Sequence, residues 1–385
     1  MRPRRLLSVA HSYCVALNRR LANEIARIGN HDWEVTAVAP AHFAGDLGPV
    51  ALEHFPGEIC RLEGIRVFGS RSPHMFVYGP RLRSLMREQW DFIHCWEEPY
   101  VFAGGQVAAW SLASVPLAFF TAQNRPKNYP PPFSWIEKYC LRRSSGWIAA
   151  GSTVAQAQLP RGYDARPYRV IPHGVDLKSF YPNKPAGSEI RARLEWSIDG
   201  PPVVGFLGRF VPEKGLDLLT SVLDRIKSPW RAMLVGGGAM EDRLRQWARA
   251  YPDRVRIVTG VNHDQVPAYL NAMDLLCAPS QSTPRWREQF GRMLIEAFAC
   301  GVPVIASDSG EIPNVVGEAG VIVAENDRDA WLTAIGELLE NPTQRVRLAG
   351  LGLERAPDFS WPVVARQHVE FFNQILDAGD HRASA

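Results

Sequence analysis

The 385-residue chain is poor in the features that define several other protein classes. No stretch approaches the ~18 consecutive apolar residues of a membrane-spanning helix. Tandem repeats and low-complexity tracts are absent, which excludes repeat architectures. The six cysteines are scattered, with no C-x-x-C pair and no metal-ligand spacing. Scattered cysteines in a large chain are typical of core residues in a reducing compartment, so we predict a cytoplasmic protein.

The first residues, MRPRRLLSVAHSYCVAL, imitate a secretory signal because arginines precede an apolar run. His11, Ser12 and Tyr13 interrupt that run, and no small-residue cleavage site follows. We therefore interpret the segment as a first buried strand.

Length and pattern predict two α/β domains. A chain of 385 residues exceeds the size at which a single hydrophobic core stops growing. Short β-rich runs alternate with amphipathic helices from end to end, which is typical of parallel sheets covered on both faces. The predicted strands are RLLSVA, EVTAVAP, DFIHCW, PLAFFTA, GWIAA and YRVIPHG in the first half, and PVVGFLG, RAMLVGGG, RVRIVTG, DLLCAPS, VPVIASD and GVIVA in the second.

The domain boundary is predicted within residues 180–202, which contain four prolines, two glycines and little strand pattern. We expect an N-terminal domain over 1–182, a second domain over 196–360, and a C-terminal helix over 361–385 that packs back toward the N-terminal domain. Two doubly wound domains facing each other across a cleft would place ligand sites at the C-terminal ends of their strands.

Two cations follow a predicted strand in GFLGRFVPEKGLDLL. Arg209 comes directly after the last glycine of the strand, and Lys214 lies just before a glycine and a helix. Cations at the C-terminal end of a strand, beside a helix start, make an anion site. Two solvated surface cations are the alternative, but the flanking turn glycines favour the anion site because they fix the geometry.

Two glutamates flank a predicted helix start in EQFGRMLIEAFACGVPVI. If the helix begins near Gly291, Glu288 lies in the loop before it and Glu296 on its second turn. Residues with this spacing differ by ~80° around a helix axis, so the two carboxylates cannot share one target. The first backbone N–H groups of the helix lie between them. This arrangement would suit an elongated ligand with hydroxyls at both ends and a diphosphate in the middle, such as a nucleotide sugar.

Together these motifs resemble those of glycosyltransferase family 4, the retaining enzymes of the GT-B fold. The resemblance rests on G-R-x4-K-G and on E-x7-E, whose second glutamate opens E-A-x-A-x-G-x-P-V-I. Supporting matches, in the order of the family, are VIPHGVDLKSFYP, LVGGGAMEDRL, YLNAMDLLCAPS and SGEIPNVVGEAG. They cover most of residues 137–375, whereas the first half matches more loosely. The resemblance implies the GT-B fold, with two Rossmann-like domains facing across a cleft.

The resemblance also implies roles for individual residues. Arg209 and Lys214 would hold the donor diphosphate, Glu296 the ribose hydroxyls, and Glu288 a hydroxyl of the transferred sugar. The backbone at Gly260–Val261 would contact the base. Amides at the helix start would line the sugar and phosphates; these belong to Phe290, Gly291, Arg292 and Met293.

The resemblance implies neither a metal nor another cofactor, because cations and a helix N-terminus would stabilise the leaving diphosphate instead of Mg²⁺. The tripeptide DRD at 327–329 matches the letters of a D-x-D metal motif. It opens a predicted helix, where acids are expected, and we interpret it as capping. The acceptor hydroxyl would attack from the leaving-group side, and the departing phosphate oxygen would take its proton.

The chain departs from the family in its first half. The first loop, HSYCVALN, contains no glycine, and Gln123 stands where family members commonly have a histidine. The acceptor-side candidates are His11, His94, Glu97, Glu98 and Gln123. Plain alternatives remain, since histidines at strand ends are often only hydrogen-bonded and the two glutamates could lie in a solvated loop.

The segment PRLRSLMREQW (80–90) combines Leu82, Leu85 and Met86 at helical spacing with three arginines. Residues 1–180 are basic as a whole, with 21 Lys and Arg against 14 Asp and Glu. Two interpretations stay open: the apolar face packs on its own sheet, or a basic amphipathic helix lies on the inner face of an anionic membrane.

We predict a hexosyltransferase that moves a hexose from a nucleoside-diphosphate sugar to a hydroxyl acceptor, with retention of configuration and without a metal. The acceptor could be a glycan, a lipid-linked molecule or a small molecule; no nucleic acid is expected. One alternative is a GT-B sugar-nucleotide epimerase, which uses the same donor site without an acceptor. The other is a non-catalytic sugar-nucleotide-binding protein. The altered first loop and Gln123 would be consistent with a loss of catalytic activity.

Overall fold

The computed structural model describes residues 2–28, 32–44 and 48–383. The chain divides into two compact units: the first extends to Gly174 and resumes at Trp361, and the second comprises Val175–Ser360. This division lies a few residues before the boundary expected within 180–202. Val175 and Phe180 belong to the second unit because both side chains are buried in its core.

The first unit is built on a parallel sheet of seven strands in the order β11-β10-β9-β8-β1-β2-β5. Two short antiparallel pairs, β3–β4 and β6–β7, lie beside it. In chain order the strands are β1 (Arg4–Val9), β2 (Trp33–Pro40), β3 (His42–Phe43), β4 (Val50–Ala51), β5 (Arg61–Ile65), β6 (Val67–Phe68), β7 (Val77–Tyr78), β8 (Phe92–Cys95), β9 (Leu117–Thr121), β10 (Gly146–Ala149) and β11 (Tyr168–Val170). The central strands β8, β9 and β10 are buried on both faces, as their largely apolar sequences require.

Helices cover the sheet of the first unit. They are α1 (Arg20–Ile28), α2 (Arg81–Met86), α3 (Phe102–Trp110), α4 (Phe133–Arg143) and α5 (Ser152–Gln158). Leu82, Leu85 and Met86 of α2 are fully buried. The first interpretation of segment 80–90 therefore holds, because the apolar face of α2 belongs to the core and cannot enter a membrane.

The second unit has a parallel sheet of six strands in the order β14-β13-β12-β15-β16-β17. The strands are β12 (Val203–Arg209), β13 (Arg231–Gly237), β14 (Val255–Val258), β15 (Leu275–Ala278), β16 (Val304–Ser307) and β17 (Gly320–Val323). The helices are α6 (Lys184–Arg193), α7 (Leu216–Leu223), α8 (Glu241–Ala248), α9 (Val266–Asn271), α10 (Arg292–Ala299), α11 (Ile312–Val316), α12 (Arg328–Glu340) and α13 (Pro342–Arg355).

The last helix, α14 (Trp361–Ala383), packs in the first unit. Its Phe372 ring lies 4.4 Å from the ring of Phe92 in β8, and Glu370 forms an ion pair of 3.1 Å with Arg169 in β11. Short 3₁₀ helices complete the described chain, over His11–Cys14, Ala16–Arg19, Leu159–Arg161, Tyr163–Ala165, Pro212–Lys214, His263–Gln265 and Ala356–Phe359.

Candidate functional site

The strand order of the second unit reverses between β12 and β15. In open parallel sheets, ligands bind at such a switch point, in the crevice beyond the carboxyl ends of the strands. Arg209 is the last residue of β12 and is exposed, and Ser280 follows the end of β15. Ser280 donates a hydrogen bond to Glu288, so the two motifs identified in the sequence meet at this position of the sheet.

Lys214 lies in a tight turn after β12. It ends a 3₁₀ helix, and Gly215 follows with a φ of 71°. A Cβ at Gly215 would lie 1.8 Å from the carbonyl oxygen of Pro279, so the turn requires glycine. The turn therefore packs directly against the residues that follow β15. As a result, the Lys214 ammonium lies 2.5 Å from Glu288 Oε2, with the two side chains only 11% and 8% exposed.

Glu288 is fixed by further contacts. Its Oε2 accepts a hydrogen bond from Ser280 Oγ at 2.8 Å, and its backbone oxygen accepts one from the Glu311 N–H at 3.0 Å. Gly310 lies so close that a Cβ there would be 2.0 Å from the Glu288 carbonyl oxygen. The Glu288 carboxylate is thus the counter-ion of the Lys214 ammonium, a link that the separate motifs did not indicate. A phosphate group at this position would compete with Glu288 for Lys214.

Helix α10 begins at Arg292 with Gly291 as its N-cap, which confirms the predicted start. Glu288 precedes the helix, and Glu296 lies on its second turn, 5% exposed. The first N–H groups of a helix have no intrahelical partner, so this end can donate to an anion. The Phe290 ring is buried in the core, and only its backbone could serve a ligand.

Glu296 has a partner that the sequence analysis missed. His263 Nε2 lies 3.0 Å from Glu296 Oε1, and the histidine side chain is 38% exposed. Its ring packs against Phe180 with 5.4 Å between centroids. The signal in the sequence is a histidine in the loop that carries Gly260–Val261, the predicted base contact.

The other donor-side candidates surround this group. Arg292 and Met293 are half-buried on the first turn of α10, and Met293 packs on the core of the unit. Burial lowers the pKa of the Arg292 guanidinium, and the Glu296 carboxylate counteracts this shift. Gly260 is exposed after β14, and Val261 beside it packs on the same core.

In the first unit, the strand order reverses between β1 and β8, and His11 and Glu97 follow these strands. Glu97 accepts a hydrogen bond from the His11 backbone N–H at 2.5 Å and lies 2.6 Å from its Nδ1. The Tyr78 hydroxyl donates to the same carboxylate at 2.7 Å. Because Glu97 is 1% exposed, a buried carboxylate orients the imidazole of His11.

Glu98 and Gln123 lie together near the end of β9. Glu98 accepts hydrogen bonds from Thr121 Oγ1 at 2.5 Å and from the Ala122 N–H at 2.8 Å. Burial raises the pKa of the Glu98 carboxyl to about 7. Gln123 is buried, and its backbone oxygen accepts from Gln158 Nε2 at 2.6 Å.

His94 stands apart from the other acceptor-side candidates. It lies inside β8, fully buried, with Nδ1 3.2 Å from Ser8 Oγ and its ring 5.5 Å from that of His368 on α14. Burial lowers its pKa well below the usual value, and His368 lowers it further. These surroundings are those of a core histidine, between the sheet and α14.

Residues 189–352 match the family model described as glycosyl transferases group 1, and residues 17–179 match that of glycosyltransferase family 4. The chain belongs to the family 4 glycosyltransferases. Its enzyme class is that of a hexosyltransferase, and both units have the Rossmann-like, parallel-sheet architecture of the GT-B fold.

This glycosyltransferase is 29% identical to a D-inositol 3-phosphate glycosyltransferase of Salinispora tropica, over 88% of the chain and 72% of that protein. It is 30% identical to the GDP-mannose-dependent alpha-(1-6)-phosphatidylinositol monomannoside mannosyltransferase of Mycolicibacterium smegmatis, over 66% of the chain and 64% of that protein. The chain spans between about half and three quarters of the length of the curated relatives it matches.

Solved structures share the fold of the glycosyltransferase. Sucrose-phosphate synthase of Thermosynechococcus elongatus matches with a TM-score of 0.74 and 24% identity, over 97% of this chain and 100% of that one. HepE of Anabaena, in complex with UDP, matches with a TM-score of 0.75 and 19% identity, over 96% and 100%. At these identities the likeness concerns the fold alone.

The DRD tripeptide of this glycosyltransferase caps a helix. The Asp327 side chain accepts from the Ala330 N–H at 2.9 Å at the start of α12, and Asp329 pairs with Arg225 at 2.8 Å. The capping interpretation is confirmed. Within residues 2–28, 32–44 and 48–383, no three His, Cys, Asp or Glu side chains group as metal ligands. Among those residues there is also no helix with the length and apolar character needed to cross a membrane.

Proposed function

We propose that the protein transfers a hexose from a nucleoside-diphosphate sugar to a hydroxyl acceptor, with retention of configuration and without a metal. The observation that carries the proposal is the grouping of Lys214, Glu288 and the α10 N-terminus at the switch point of the second sheet. An ammonium, helix amides and two glutamates at this place match a ligand with a central diphosphate and hydroxyls at both ends. The relative at 30% identity that is named as a GDP-mannose-dependent mannosyltransferase supports the same donor class.

In the proposed reaction, Arg209, Lys214 and the α10 N-terminus stabilise the charge that develops on the leaving diphosphate. Glu296 accepts hydrogen bonds from the ribose, and Glu288 accepts one from the transferred sugar. The acceptor oxygen forms a bond to the anomeric carbon while the bond from that carbon to the phosphate oxygen breaks. The departing phosphate oxygen keeps the electron pair of the broken bond and takes the acceptor proton.

The Lys214–Glu288 ion pair gives this donor site a specific property. Because the ammonium already has a counter-ion, the site does not present an isolated buried cation before the donor arrives. When the diphosphate takes over Lys214, the Glu288 carboxylate becomes available for a sugar hydroxyl. The pair therefore couples the diphosphate contact to the sugar contact.

The acceptor is proposed as a glycan, a lipid-linked molecule or a small molecule. The named relatives act on inositol phosphate or phosphatidylinositol mannoside, which supports an acceptor that bears phosphate. The buried Glu97 that orients His11, together with Glu98 and Gln123, provides polar groups for acceptor hydroxyls at the strand ends of the first unit.

A donor screen tests this proposal. Thermal unfolding is followed with UDP, GDP and ADP, and the protein is then incubated with labelled sugars on the nucleotide that stabilises it. We expect one diphosphate to raise the melting temperature and its sugar to be transferred or slowly hydrolysed, with the anomeric configuration retained in the product. Formation of an epimeric sugar nucleotide would favour an epimerase instead, and stabilisation without any turnover would favour a binding protein.

A further inference from the structure

Helix α4 presents an aromatic and basic face to solvent. Trp135 is 66% exposed and Tyr139 is 40% exposed, and Lys138 and Arg142 between and beside them are also exposed. Positions three and four apart on a helix are neighbours, so these four side chains form one continuous stripe. We call these four residues the α4 face.

Apolar and basic side chains also lie next to the α4 face. Leu112, 45% exposed, lies in the turn that precedes β9. The Arg143 guanidinium ties this turn to α4, because it donates to the carbonyl oxygens of Leu112 and, at 3.1 Å, of Val115. Arg166 donates to the carbonyl oxygen of Arg142 at 2.8 Å, which adds another cation at the end of α4.

The exposed charged side chains of α4 are positive. Glu137 is the acidic residue of α4, and it turns inward, where it is buried and bonded to Arg161 at 2.6 Å and to the Tyr163 hydroxyl at 2.9 Å. It therefore does not neutralise Lys138 or Arg142. Two exposed rings that alternate with two cations on one helix face are complementary to a surface that has an apolar layer beneath negative charges.

We propose that the α4 face docks on an anionic lipid bilayer. Trp and Tyr rings place an apolar body and a polar edge at the depth of lipid headgroups, while Lys and Arg beside them contact anionic phosphates. The occupant is a bilayer because exposed rings and cations alternate on a single helix face, which matches the apolar and anionic layers of a lipid surface. Docking in this way does not depend on which sugar is transferred, and it would bring the first unit to a lipid-linked acceptor.

The proposed membrane contact therefore lies on the α4 face and not on segment 80–90, for which the sequence left such a contact open. Arg81, Arg83 and Arg87 of segment 80–90 are exposed, but the apolar residues of α2 are buried. Segment 80–90 offers charge without an apolar face, whereas the α4 face offers both. This difference supplies a matched control.

The test is co-sedimentation of the full chain with vesicles of phosphatidylcholine, alone or with phosphatidylglycerol. The variants are Trp135→Ser with Tyr139→Ser, and Lys138→Glu with Arg142→Glu, set beside the control Arg81→Glu with Arg83→Glu. All substituted side chains are exposed, and thermal unfolding checks that each variant is folded. We expect binding to the anionic vesicles only, weaker at high salt, and on the order of tenfold weaker in both α4 variants.

Each outcome decides the proposal. No binding of the unsubstituted protein to anionic vesicles, or equal binding to neutral ones, overturns it. An equal loss in the Arg81 and Arg83 control also overturns it, because general positive charge would then be sufficient. Binding of the nucleoside diphosphate is measured in the same variants and should be unchanged, so failure of membrane docking is distinguishable from failure of the proposed glycosyl transfer.

Discussion

Replacing Glu288 with glutamine separates the two contacts that we assign to this residue. The amide keeps the shape of the side chain and an oxygen that can accept from Ser280, but it removes the charge that faces the Lys214 ammonium at 2.5 Å. In the proposed donor site, Lys214 holds the diphosphate and Glu288 holds the sugar. Glu288→Gln should therefore lower turnover without weakening diphosphate binding.

The magnitudes follow from the burial of the pair. Removing one partner of a buried ion pair costs ~3–5 kcal/mol. Because both side chains keep some exposure and the amide oxygen still accepts a hydrogen bond, we expect about 2 kcal/mol less free energy of unfolding without ligand. The nucleoside diphosphate no longer competes with a carboxylate for Lys214, so it should bind equally well or up to about tenfold more tightly, a gain of ~1.4 kcal/mol. Turnover of the sugar nucleotide should fall, because the sugar contact matters most as the glycosidic bond breaks.

The assay combines urea unfolding, calorimetry with the nucleoside diphosphate, and initial rates with the sugar nucleotide. Glu213→Gln is the matched control, since Glu213 carries the same charge next to Lys214 in the chain and is half-buried in the same turn. It reports the general effect of removing a negative charge near a diphosphate. If Glu288→Gln weakens diphosphate binding and turnover in the same proportion, the assignment of Glu288 to the sugar is wrong.

Two further predictions concern His263 and His368. His263→Ala should weaken binding of the nucleoside diphosphate by about tenfold, because Glu296 loses the partner that orients it. The variant should also bind the nucleoside diphosphate with less preference over its 2′-deoxy analogue. Calorimetry with both ligands measures this preference, and an unchanged preference in the variant would contradict the role of His263. Burial lowers the pKa of His368 from 6.5 to about 4, so the folded chain excludes a proton that the unfolded chain binds, and stability should fall as pH drops from about 6.5 towards 4. Urea unfolding across this range should show a smaller decrease for His368→Gln, and identical curves would refute the argument.

Much of the fold could be predicted from local pattern. All the runs interpreted as strands form strands in the two sheets. The largely apolar ones, such as β9, β15 and β16, are buried on both faces, as parallel strands covered by helices require. The start of α10 could also be predicted, because a glycine precedes the apolar helical run. In the structure this glycine, Gly291, is the N-cap and adopts a φ of 84°. Strand β5 was missed because RLEGI is an edge strand with little apolar character, in which only Ile65 is buried.

The pairings within the site could not be read in the same way. Lys214 and Glu288 lie 74 residues apart, and they meet because the Gly215 and Gly310 turns allow backbone contacts that carry no local pattern. The partnership of His263 with Glu296 likewise depends on how the loop after β14 packs on Phe180. Periodicity also left open whether the apolar face of α2 packs on its own sheet or lies on a membrane, because a pattern cannot show whether a neighbouring element covers that face.

The central claim is that the site around Lys214, Glu288 and Glu296 supports glycosyl transfer from a nucleotide sugar without a metal. The most direct measurement is release of nucleoside diphosphate from a panel of UDP, GDP and ADP sugars, in EDTA, by the unsubstituted protein and by Lys214→Met. We predict turnover of at least one sugar nucleotide that persists in EDTA and is lost in Lys214→Met. Turnover that requires added Mg²⁺, or that is unaffected when Lys214 is replaced, would contradict the account.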